Sequence, residues 1–288
     1  MQEPSQTPKR SAVELFNLDG RVALVTGGAG LLGAEFCRSL AQAGAAVMVA
    51  DINAIAAEDL AKAIVTQGYR ARAARVDITD PASVRRMVQA TVEIYGRLDI
   101  LVNSAALDPK FDPEHQSVAL HGPGTGAFED FPLEAWNQAL AVNLTGAYLC
   151  CQAAVQPMLA QGSGVIINLS SIYGLAGPDQ RLYQQAGSEA QAQYKPVYYS
   201  VTKAGILGLT RYLATYYAGK NIRVNALTPG GVFSGHEESF VQAYSARAVL
   251  GRMAEKDEMN GALLFLASDA SAYMTGANLV VDGGWTAW

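Results

Sequence analysis

The segment 196–205, PVYYSVTKAG, places two adjacent tyrosines, Tyr198 and Tyr199, shortly before a lysine. Its proline suits the first turn of a helix, and residues four apart on a helix share a face, so Tyr199 and Lys203 are predicted neighbours. A phenol loses its proton at roughly pH 10, and a nearby ammonium lowers that pKa. The pair is therefore a candidate acid/base. The same helix carries three further tyrosines, so an aromatic helix surface is the alternative interpretation.

A glycine-rich turn follows the first apolar run, in RVALVTGGAGLLGAEF over 21–36. Glycines let the chain turn tightly and approach a ligand, and the helix that follows offers free N–H groups to a pyrophosphate. Asp51 ends the next predicted strand, where a carboxylate can accept both adenosine ribose hydroxyls and repel a 2′-phosphate. The pattern predicts a dinucleotide site that prefers NAD over NADP. An ordinary strand-to-helix turn, followed by a capping aspartate, is the alternative.

Short apolar runs alternate with helical stretches along the rest of the chain. Strands are predicted at 22–26, 46–50, 71–76, 100–103, 164–169, 223–227 and 278–281, and helices at 31–43, 54–67, 81–95, 133–159, 197–218 and 255–268. This alternation indicates a doubly wound α/β fold, a parallel sheet in one Rossmann-type domain over 18–288. Residues 1–17 are predicted to be a flexible arm. Polar segments near 107–130 and 175–195 are predicted insertions.

Composition excludes several classes of protein. The 288 residues are 50% hydrophobic and 16% charged, which suits a globule with well-covered strands. A net charge of −5 gives no support for nucleic-acid binding, and no apolar run approaches the length of a membrane span. The N-terminus lacks a signal-peptide core, and the three cysteines show no metal spacing. We therefore expect a cytoplasmic protein without a metal, nucleic-acid or membrane partner.

The sequence resembles the short-chain dehydrogenase/reductase family over about residues 18–288. The motifs that carry this resemblance occur in family order: TGGAGLLG, Asp51, VDITD, LDILVNSAA, AVNLTG, GVIINLSSIYG, YSVTK, IRVNALTPGG and TGANLVVDGG. The resemblance implies a secondary alcohol–ketone oxidoreductase. Two alternatives remain at this stage: a nucleotide-sugar epimerase or dehydratase, and a non-catalytic NAD-binding regulator.

The resemblance also implies roles for individual residues. Tyr199 is the acid/base, Lys203 lowers its pKa and binds the nicotinamide ribose, Ser171 hydrogen-bonds the substrate oxygen, and Asn143 holds a relay water. The residues implied in cofactor binding are Gly27, Gly30, Leu31, Leu32, Gly33, Asp51, Ile52, Asp77, Ile78, Asn103, Ser104, Ala105, Tyr199, Lys203, Pro229, Gly230 and Val232. Family members are commonly homo-oligomers, so a tetramer or dimer is expected.

Three departures from the family pattern bear on function. Leu31 stands where the family usually has glycine, and Ala106 removes a glycine from the floor of the cleft. Ser171 and Tyr199 are 28 residues apart, a longer gap than usual, because a polar insertion lies between them. The C-terminal segment 249–288 is similar to a bacterial subgroup linked to flagellin modification and sialic-acid-like sugars.

The insertion between Ser171 and Tyr199 suggests a polar substrate, a sugar or sugar derivative. It is rich in glutamine and tyrosine, side chains that suit sugar hydroxyls and sugar rings, and Arg181 or Lys195 is a candidate phosphate ligand. The predicted substrate residues are Ser171, Tyr173, Arg181, Tyr183, Tyr194 and Tyr198. A solvated loop or an oligomer contact is the alternative role of this insertion.

Overall fold

The computed structural model describes residues 10–108, 127–183 and 194–288. Residues 109–126 and 184–193 of the two predicted insertions, and residues 1–9 of the predicted arm, lie outside the described residues. The described part of the arm includes a short 3-10 helix at Glu14–Phe16. Arg10 forms an ion pair with Asp269 at 2.5 Å, and Leu18 is fully buried where the domain begins.

Seven parallel strands form one sheet in the order β3-β2-β1-β4-β5-β6-β7. Their bounds are β1 Val22–Thr26, β2 Ala46–Asp51, β3 Ala71–Arg75, β4 Ile100–Asn103, β5 Gly164–Leu169, β6 Ile222–Pro229 and β7 Asn278–Val281. The predicted doubly wound fold is confirmed, and four strands have the predicted bounds. The strand order reverses between β1 and β4, so a crevice opens at their carboxyl ends, where such folds bind ligands.

Helices connect successive strands and cover the sheet. They are α1 Leu31–Gln42, α2 Ala54–Thr66, α3 Pro81–Tyr95, α4 Leu133–Leu140, α5 Ala147–Gln161, α6 Val197–Tyr216, α7 Glu238–Ser245 and α8 Asn260–Ala267. The helix predicted over 133–159 is interrupted by a π-helical turn at Ala141–Gly146. The helix predicted from 255 begins as a 3-10 turn at Lys256–Met259, and α7 is a helix that the sequence pattern does not predict.

Both faces of the sheet are buried, which is why β1 and β5 are buried along their whole length and mainly apolar. One core layer joins the sheet to α1, α2 and α8, and the other joins it to α3, α5 and α6. Burial on both faces holds the strand ends rigidly, so the loops at the carboxyl edge have fixed anchor points. Within the described residues, no helix is long and apolar enough to cross a bilayer.

Local signals start and stop the helices that flank the crevice. Asp80 caps α3 by accepting hydrogen bonds from the amides of Ala82 and Ser83, at 2.8 and 3.1 Å. Gly96 ends this helix in the left-handed conformation, with φ of 80°. Asn53 caps α2 in the same way through the amide of Ala56, at 3.1 Å.

A buried carboxylate joins the amino ends of β1 and β4. Asp99 accepts a hydrogen bond from the amide of Val22 at 2.8 Å, and Arg97 donates two more at 2.8 and 2.6 Å. We expect Asp99→Ala to lower the free energy of unfolding by about 1–3 kcal/mol, because a buried amide and a guanidinium lose their acceptor. Urea unfolding measures this change.

Asp59→Ala is the matched control, because Asp59 is an exposed carboxylate on α2. Its effect should stay within about 0.5 kcal/mol. Equal effects from the two variants would contradict the structural role of Asp99.

Candidate active site

The turn after β5 and the first half of α6 touch backbone to backbone, and this contact assembles the predicted catalytic residues. A Cβ on Gly174 would lie 2.7 Å from the carbonyl carbon of Lys203, so only glycine allows this approach. The hydroxyl of Ser170 donates to the carbonyl of Lys203 at 2.8 Å. Ser171 lies beside this contact, close enough to the Tyr199 phenol that its hydroxyl lowers the pKa of that phenol. The structure therefore brings Ser171, Tyr199 and Lys203 together as predicted.

Lys203 is buried beneath Tyr199. Its ammonium donates to the carbonyl of Leu169 at 3.0 Å and lies 5.6 Å from the centre of the Tyr199 ring. The pKa of Lys203 is lowered to about 8, mainly by burial; Asp108 opposes this shift and nearby Lys195 adds to it. The ammonium is therefore close to losing its proton at physiological pH.

The pKa of Tyr199 differs from the sequence-based expectation. Burial raises the pKa of this phenol well above its usual range, Asp108 raises it further, and the Ser171 hydrogen bond acts in the opposite direction. The expected lowering of this pKa by Lys203 is therefore not seen in the free protein. In the free protein the phenol is protonated at neutral pH, which is the form that donates a proton to a ketone oxygen.

Asn143 lies in the π-helical turn between α4 and α5, and π-turns of this kind are frequent at functional sites. Its side-chain oxygen accepts from the amide of Leu107 at 2.6 Å, and its side-chain nitrogen donates to the carbonyl of Leu107 at 3.0 Å. The same nitrogen is 3.4 Å from the hydroxyl of Thr202. Asn143 thus fixes the chain after β4 to α6, and its role in holding a water stays a prediction.

The glycine turn has the shape that a dinucleotide needs. Gly27 is in the left-handed region with φ of 61°, and a Cβ there would lie 2.7 Å from the Cα of Ala105. A Cβ on Gly33 would collide with the carbonyl of Gly27. Gly30 begins α1 without a side-chain cap, so the first amides of this 12-residue helix are left for a phosphate.

Asp51 is fixed at the end of β2, beside the glycine turn. Its carboxylate accepts hydrogen bonds from the amides of Ala29 and Asn53, each at 3.0 Å. Arg75 is its register partner on the neighbouring strand β3, a proximity that the sequence does not reveal. Asp51 and the glycine turn therefore fit an adenosine ribose, and the cationic side chain of Arg75 belongs to the adjacent strand β3.

The other predicted cofactor residues lie at or just after the carboxyl ends of strands β1, β2, β3, β4 and β6. Leu31 and Ile52 are exposed, whereas Leu32 and Ile78 pack into the two core layers. Asp77 accepts from the amide and hydroxyl of Thr79. Ser104, Ala105, Pro229, Gly230 and Val232 line the loops after β4 and β6.

Asn103 lies inside the sheet rather than on its rim. Its side-chain nitrogen donates to the side-chain oxygen of Asn168 at 2.8 Å and is 3.2 Å from the sulfur of Cys151. Its side chain is directed into the interior, so the prediction that it contacts the cofactor is not supported by its placement.

The predicted substrate residues divide into two groups. Tyr173 meets Tyr199 edge-on at 6.4 Å, and its hydroxyl accepts from that of Tyr183 at 2.8 Å. Arg181 is exposed and pairs with Asp179, and Tyr194 is partly buried. Tyr198 is fully buried against the ring of Phe131, 5.8 Å away, so its predicted place on the substrate surface is not supported.

A cluster that we call the aromatic cap covers this region. Its members are Ile172, Tyr173, Tyr183, Tyr244, Ala248, Met253 and Trp285, with Leu182, Tyr199, Phe240 and Val241 at its border. Arg247 ties the cap together, because it pairs with Asp179 and lies 5.0 Å from the centre of the Trp285 ring. Sequence reasoning missed Tyr244 and Trp285 as neighbours of the site, since no local pattern links them to Tyr199.

Two charged residues beside Tyr199 complete the site. Lys195 lies 4.2 Å from the centre of the Tyr199 ring and forms an ion pair with Asp108. Sequence reasoning considered Lys195 only as a phosphate ligand and missed Asp108. A signal for Asp108 exists in its position just after the LVNSAA motif, at the carboxyl end of β4.

Comparison with known proteins agrees with this geometry. A family model described as enoyl-(acyl carrier protein) reductase matches residues 28–286. A solved short-chain type dehydrogenase/reductase from Mycobacterium marinum is 32% identical, with a TM-score of 0.82, over 96% of this chain and 99% of that one. The chain belongs to the short-chain dehydrogenase/reductase family. It is an oxidoreductase that acts on CH–OH groups, interconverts a secondary alcohol and a ketone, and uses a nicotinamide cofactor.

Two further similarities concern proteins with named activities. The cis-4-hydroxycyclohexanecarboxylate dehydrogenase of Sinomonas cyclohexanicum is 38% identical over 271 residues, which cover 93% of this chain and 97% of that protein. A gluconate 5-dehydrogenase from Burkholderia cenocepacia, solved in complex with NADP and tartrate, is 31% identical with a TM-score of 0.82. That alignment covers 96% of this chain and all of the other.

The Asp108 carboxylate raises the pKa values of both Tyr199 and Lys203, so its removal should lower them. Because these groups are coupled, the measurable quantity is the apparent pKa of the cluster. As the pH is raised, kcat/KM for alcohol oxidation in Asp108→Asn should therefore begin to increase at a lower pH than in the wild type. The pH profile of kcat/KM measures this shift.

Asp257→Asn, at an exposed carboxylate after the loop that follows β6, is the control and should leave the profile in place. An unchanged or more basic profile in Asp108→Asn would contradict the electrostatic role of this residue.

Proposed function

We propose that this dehydrogenase uses NAD and Tyr199 to oxidise a secondary alcohol on a polar, cyclic or sugar-like substrate, or to reduce the matching ketone. The observation that carries the proposal is the placement of Ser171 next to the Tyr199 phenol, with buried Lys203 5.6 Å from the centre of the Tyr199 ring. Two hydroxyl groups that converge in this way can hold one substrate oxygen between them. A protein that only binds a nucleotide does not need such a pair.

In this mechanism Ser171 orients the reacting oxygen and Tyr199 moves the proton. In the reductive direction the protonated phenol donates to the ketone oxygen as negative charge develops there. In the oxidative direction the phenolate accepts the proton of the alcohol. Lys203 stabilises the phenolate by its charge, and Asn143 holds the chain after β4 in place.

The glycine turn and Asp51 are the proposed cofactor site. The first amides of α1 would hold the pyrophosphate, and the Asp51 carboxylate would accept the adenosine ribose hydroxyls. The nicotinamide, when bound, supplies the hydride acceptor or donor.

Aromatic walls and polar groups support a cyclic or sugar-like substrate. The similar proteins are named for a hydroxycyclohexanecarboxylate and for gluconate, both hydroxylated small molecules. Tyr173 and Tyr183 present flat faces with polar tips in the aromatic cap, a surface that suits a ring carrying hydroxyl groups. A panel of cyclic alcohols, sugar acids and long-chain alcohols, followed by formation of reduced nicotinamide, tests this assignment. Preference for apolar long-chain alcohols would contradict it.

Tyr199→Phe should reduce turnover by about 10²–10⁴-fold, the usual contribution of general acid/base assistance. Binding of the reduced cofactor should change little, because the glycine turn and Asp51 are untouched. Steady-state kinetics and a fluorescence titration of the cofactor separate the two effects.

The adjacent Tyr198→Phe is the matched control. Tyr198 is fully buried, and its hydroxyl has no hydrogen-bond partner among the described residues, so loss of that hydroxyl should cost little activity. Similar losses in the two variants would overturn the assignment of Tyr199.

The preference for NAD is expected to depend on Asp51, because its carboxylate repels a 2′-phosphate. Wild-type kcat/KM should be higher with NAD than with NADP, and Asp51→Ala should narrow that ratio. Two observations favour NADP instead: Arg75 lies on the adjacent strand, and the similar gluconate 5-dehydrogenase was solved with NADP. Arg75→Ala is therefore a useful companion variant, and a wild-type preference for NADP would refute the proposal.

Exposed apolar surface supports a homo-oligomer, a tetramer or dimer. Tyr148 is exposed on α5, and Tyr212 and Tyr216 are exposed on α6. Light scattering should give a multiple of the 30.4 kDa chain mass at micromolar protein, and a monomer mass would contradict this. Trp285, also considered for this contact, is instead buried in the aromatic cap, whereas Trp288 is exposed.

Free thiols support the proposed cytoplasmic location. All three cysteines, Cys37, Cys150 and Cys151, are buried and unpaired, as is common in a reducing compartment. Cell fractionation followed by detection of the chain tests this location directly.

A further inference from the structure

A second lysine besides Lys203 lies at the reaction centre, against the ring of Tyr199. The Lys195 side chain is only 8% exposed, and its ammonium lies 4.2 Å from the centre of the Tyr199 ring and 6.0 Å from that of Tyr173. The reaction mechanism given above does not use this charge. A buried ammonium is costly unless a partner compensates it, so its position next to the acid/base requires an explanation.

The backbone of Lys195 is held by a dedicated clamp. The side-chain oxygen of Gln180 accepts from the Lys195 amide at 2.8 Å, and the side-chain nitrogen of Gln180 donates to the Lys195 carbonyl at 3.1 Å. Pro196 follows at once and begins α6 with extended ψ. The starting point of the lysine side chain is therefore fixed relative to Tyr199.

The ion-pair partner of Lys195 is held differently. The Asp108 side chain is 50% exposed, so it pairs with the ammonium from the solvent side of the site. The preceding residue, Leu107, is fixed through both its amide and its carbonyl by Asn143. A half-exposed carboxylate is easily rehydrated, so Asp108 can leave the ammonium at much lower cost than the buried lysine can move.

We propose that Lys195 binds a carboxylate group of the substrate, and that Asp108 occupies this position when no substrate is bound. This inference deepens the proposed function and rests on it. An exchange of one carboxylate for another keeps the charge around Tyr199 constant. A phosphate would instead bring additional negative charge between the rings of Tyr173 and Tyr199. The substrate class is therefore a hydroxy- or oxo-carboxylic acid.

The Lys195 ammonium lies close enough to the Tyr199 hydroxyl for one small substrate to contact both groups. The ammonium lies against the Tyr199 ring, so an anion bound there is within the length of one small molecule from the Tyr199 hydroxyl. Arg181 is a poorer candidate, because it is exposed and its guanidinium already pairs with Asp179 in two-pronged fashion. Lys195 thus selects the substrate, while Ser171 and Tyr199 act on its hydroxyl.

The test compares cyclohexanecarboxylate with its neutral analogue, cyclohexanecarboxamide. Neither probe carries a hydroxyl group, so binding is measured without turnover, by calorimetry on the full chain saturated with reduced cofactor. Wild-type protein should bind the carboxylate about tenfold or more tightly than the amide, the usual effect of a charge-assisted hydrogen bond. Lys195→Gln should remove this preference, and Lys195→Arg should retain part of it.

Asp108→Asn provides an independent arm, because it removes the competing carboxylate while Lys195 remains. Affinity for the carboxylate should rise in this variant, whereas affinity for the amide should not. Lys220→Gln removes an exposed lysine at the opposite end of α6 and is the control for general charge effects. It should leave both affinities unchanged.

Three results would overturn the inference: equal wild-type affinity for the two probes, a Lys195→Gln variant that keeps the preference, or weaker carboxylate binding in Asp108→Asn. If Lys195→Gln does not fold, the measurements on the wild type and on Asp108→Asn still test whether a substrate carboxylate replaces Asp108. Failure of the proposed function is recognised separately. The protein would then bind the carboxylate through Lys195 and yet oxidise no alcohol in the panel.

Discussion

The backbone contact between the turn after β5 and α6 is the constraint on which the active site depends. Gly174 permits it, and the hydrogen bond from Ser170 to the carbonyl of Lys203 holds it. Because β5 lies in the middle of a sheet buried on both faces, the turn has no freedom to move away. Ser171 and Tyr199 therefore meet although a long insertion separates them along the chain.

Charges around Tyr199 come from three segments that are distant in sequence. Lys203 lies in α6, Lys195 lies just before it, and Asp108 follows β4. Burial of the phenol and the charge of Asp108 both oppose ionisation of Tyr199, so the free enzyme holds Tyr199 in its protonated state. The ligand-free site is thus prepared as a proton donor, and proton acceptance depends on what later occupies it.

Much of this architecture could be predicted from the sequence because its signals are local. The strand bounds followed from apolar runs, the glycine turn from its spacing, and the choice of Tyr199 over Tyr198 from the four-residue helical repeat. Burial of Tyr198 agrees with that choice. These features depend on residues that are close together along the chain.

Other features depend on tertiary contacts and escaped prediction. The Lys195–Asp108 ion pair joins residues 87 positions apart, and no spacing rule connects them. The resemblance implied a water-holding role for Asn143, but its hydrogen bonds to Leu107 from the π-turn were not foreseen. The short helix α7 was missed although Phe240, Val241 and Tyr244 recur at helical spacing, and these residues pack into the aromatic cap.

The contact at Gly174 also determines which positions of this turn tolerate substitution. Any side chain at this position would collide with the backbone of Lys203, so natural or engineered substitution there is blocked. No such limit applies at Gly177, where a Cβ would meet nothing within 4 Å. Substitution at Gly177 therefore leaves the contact at Gly174 in place, which makes the outer end of this turn a safer starting point for directed evolution than its base.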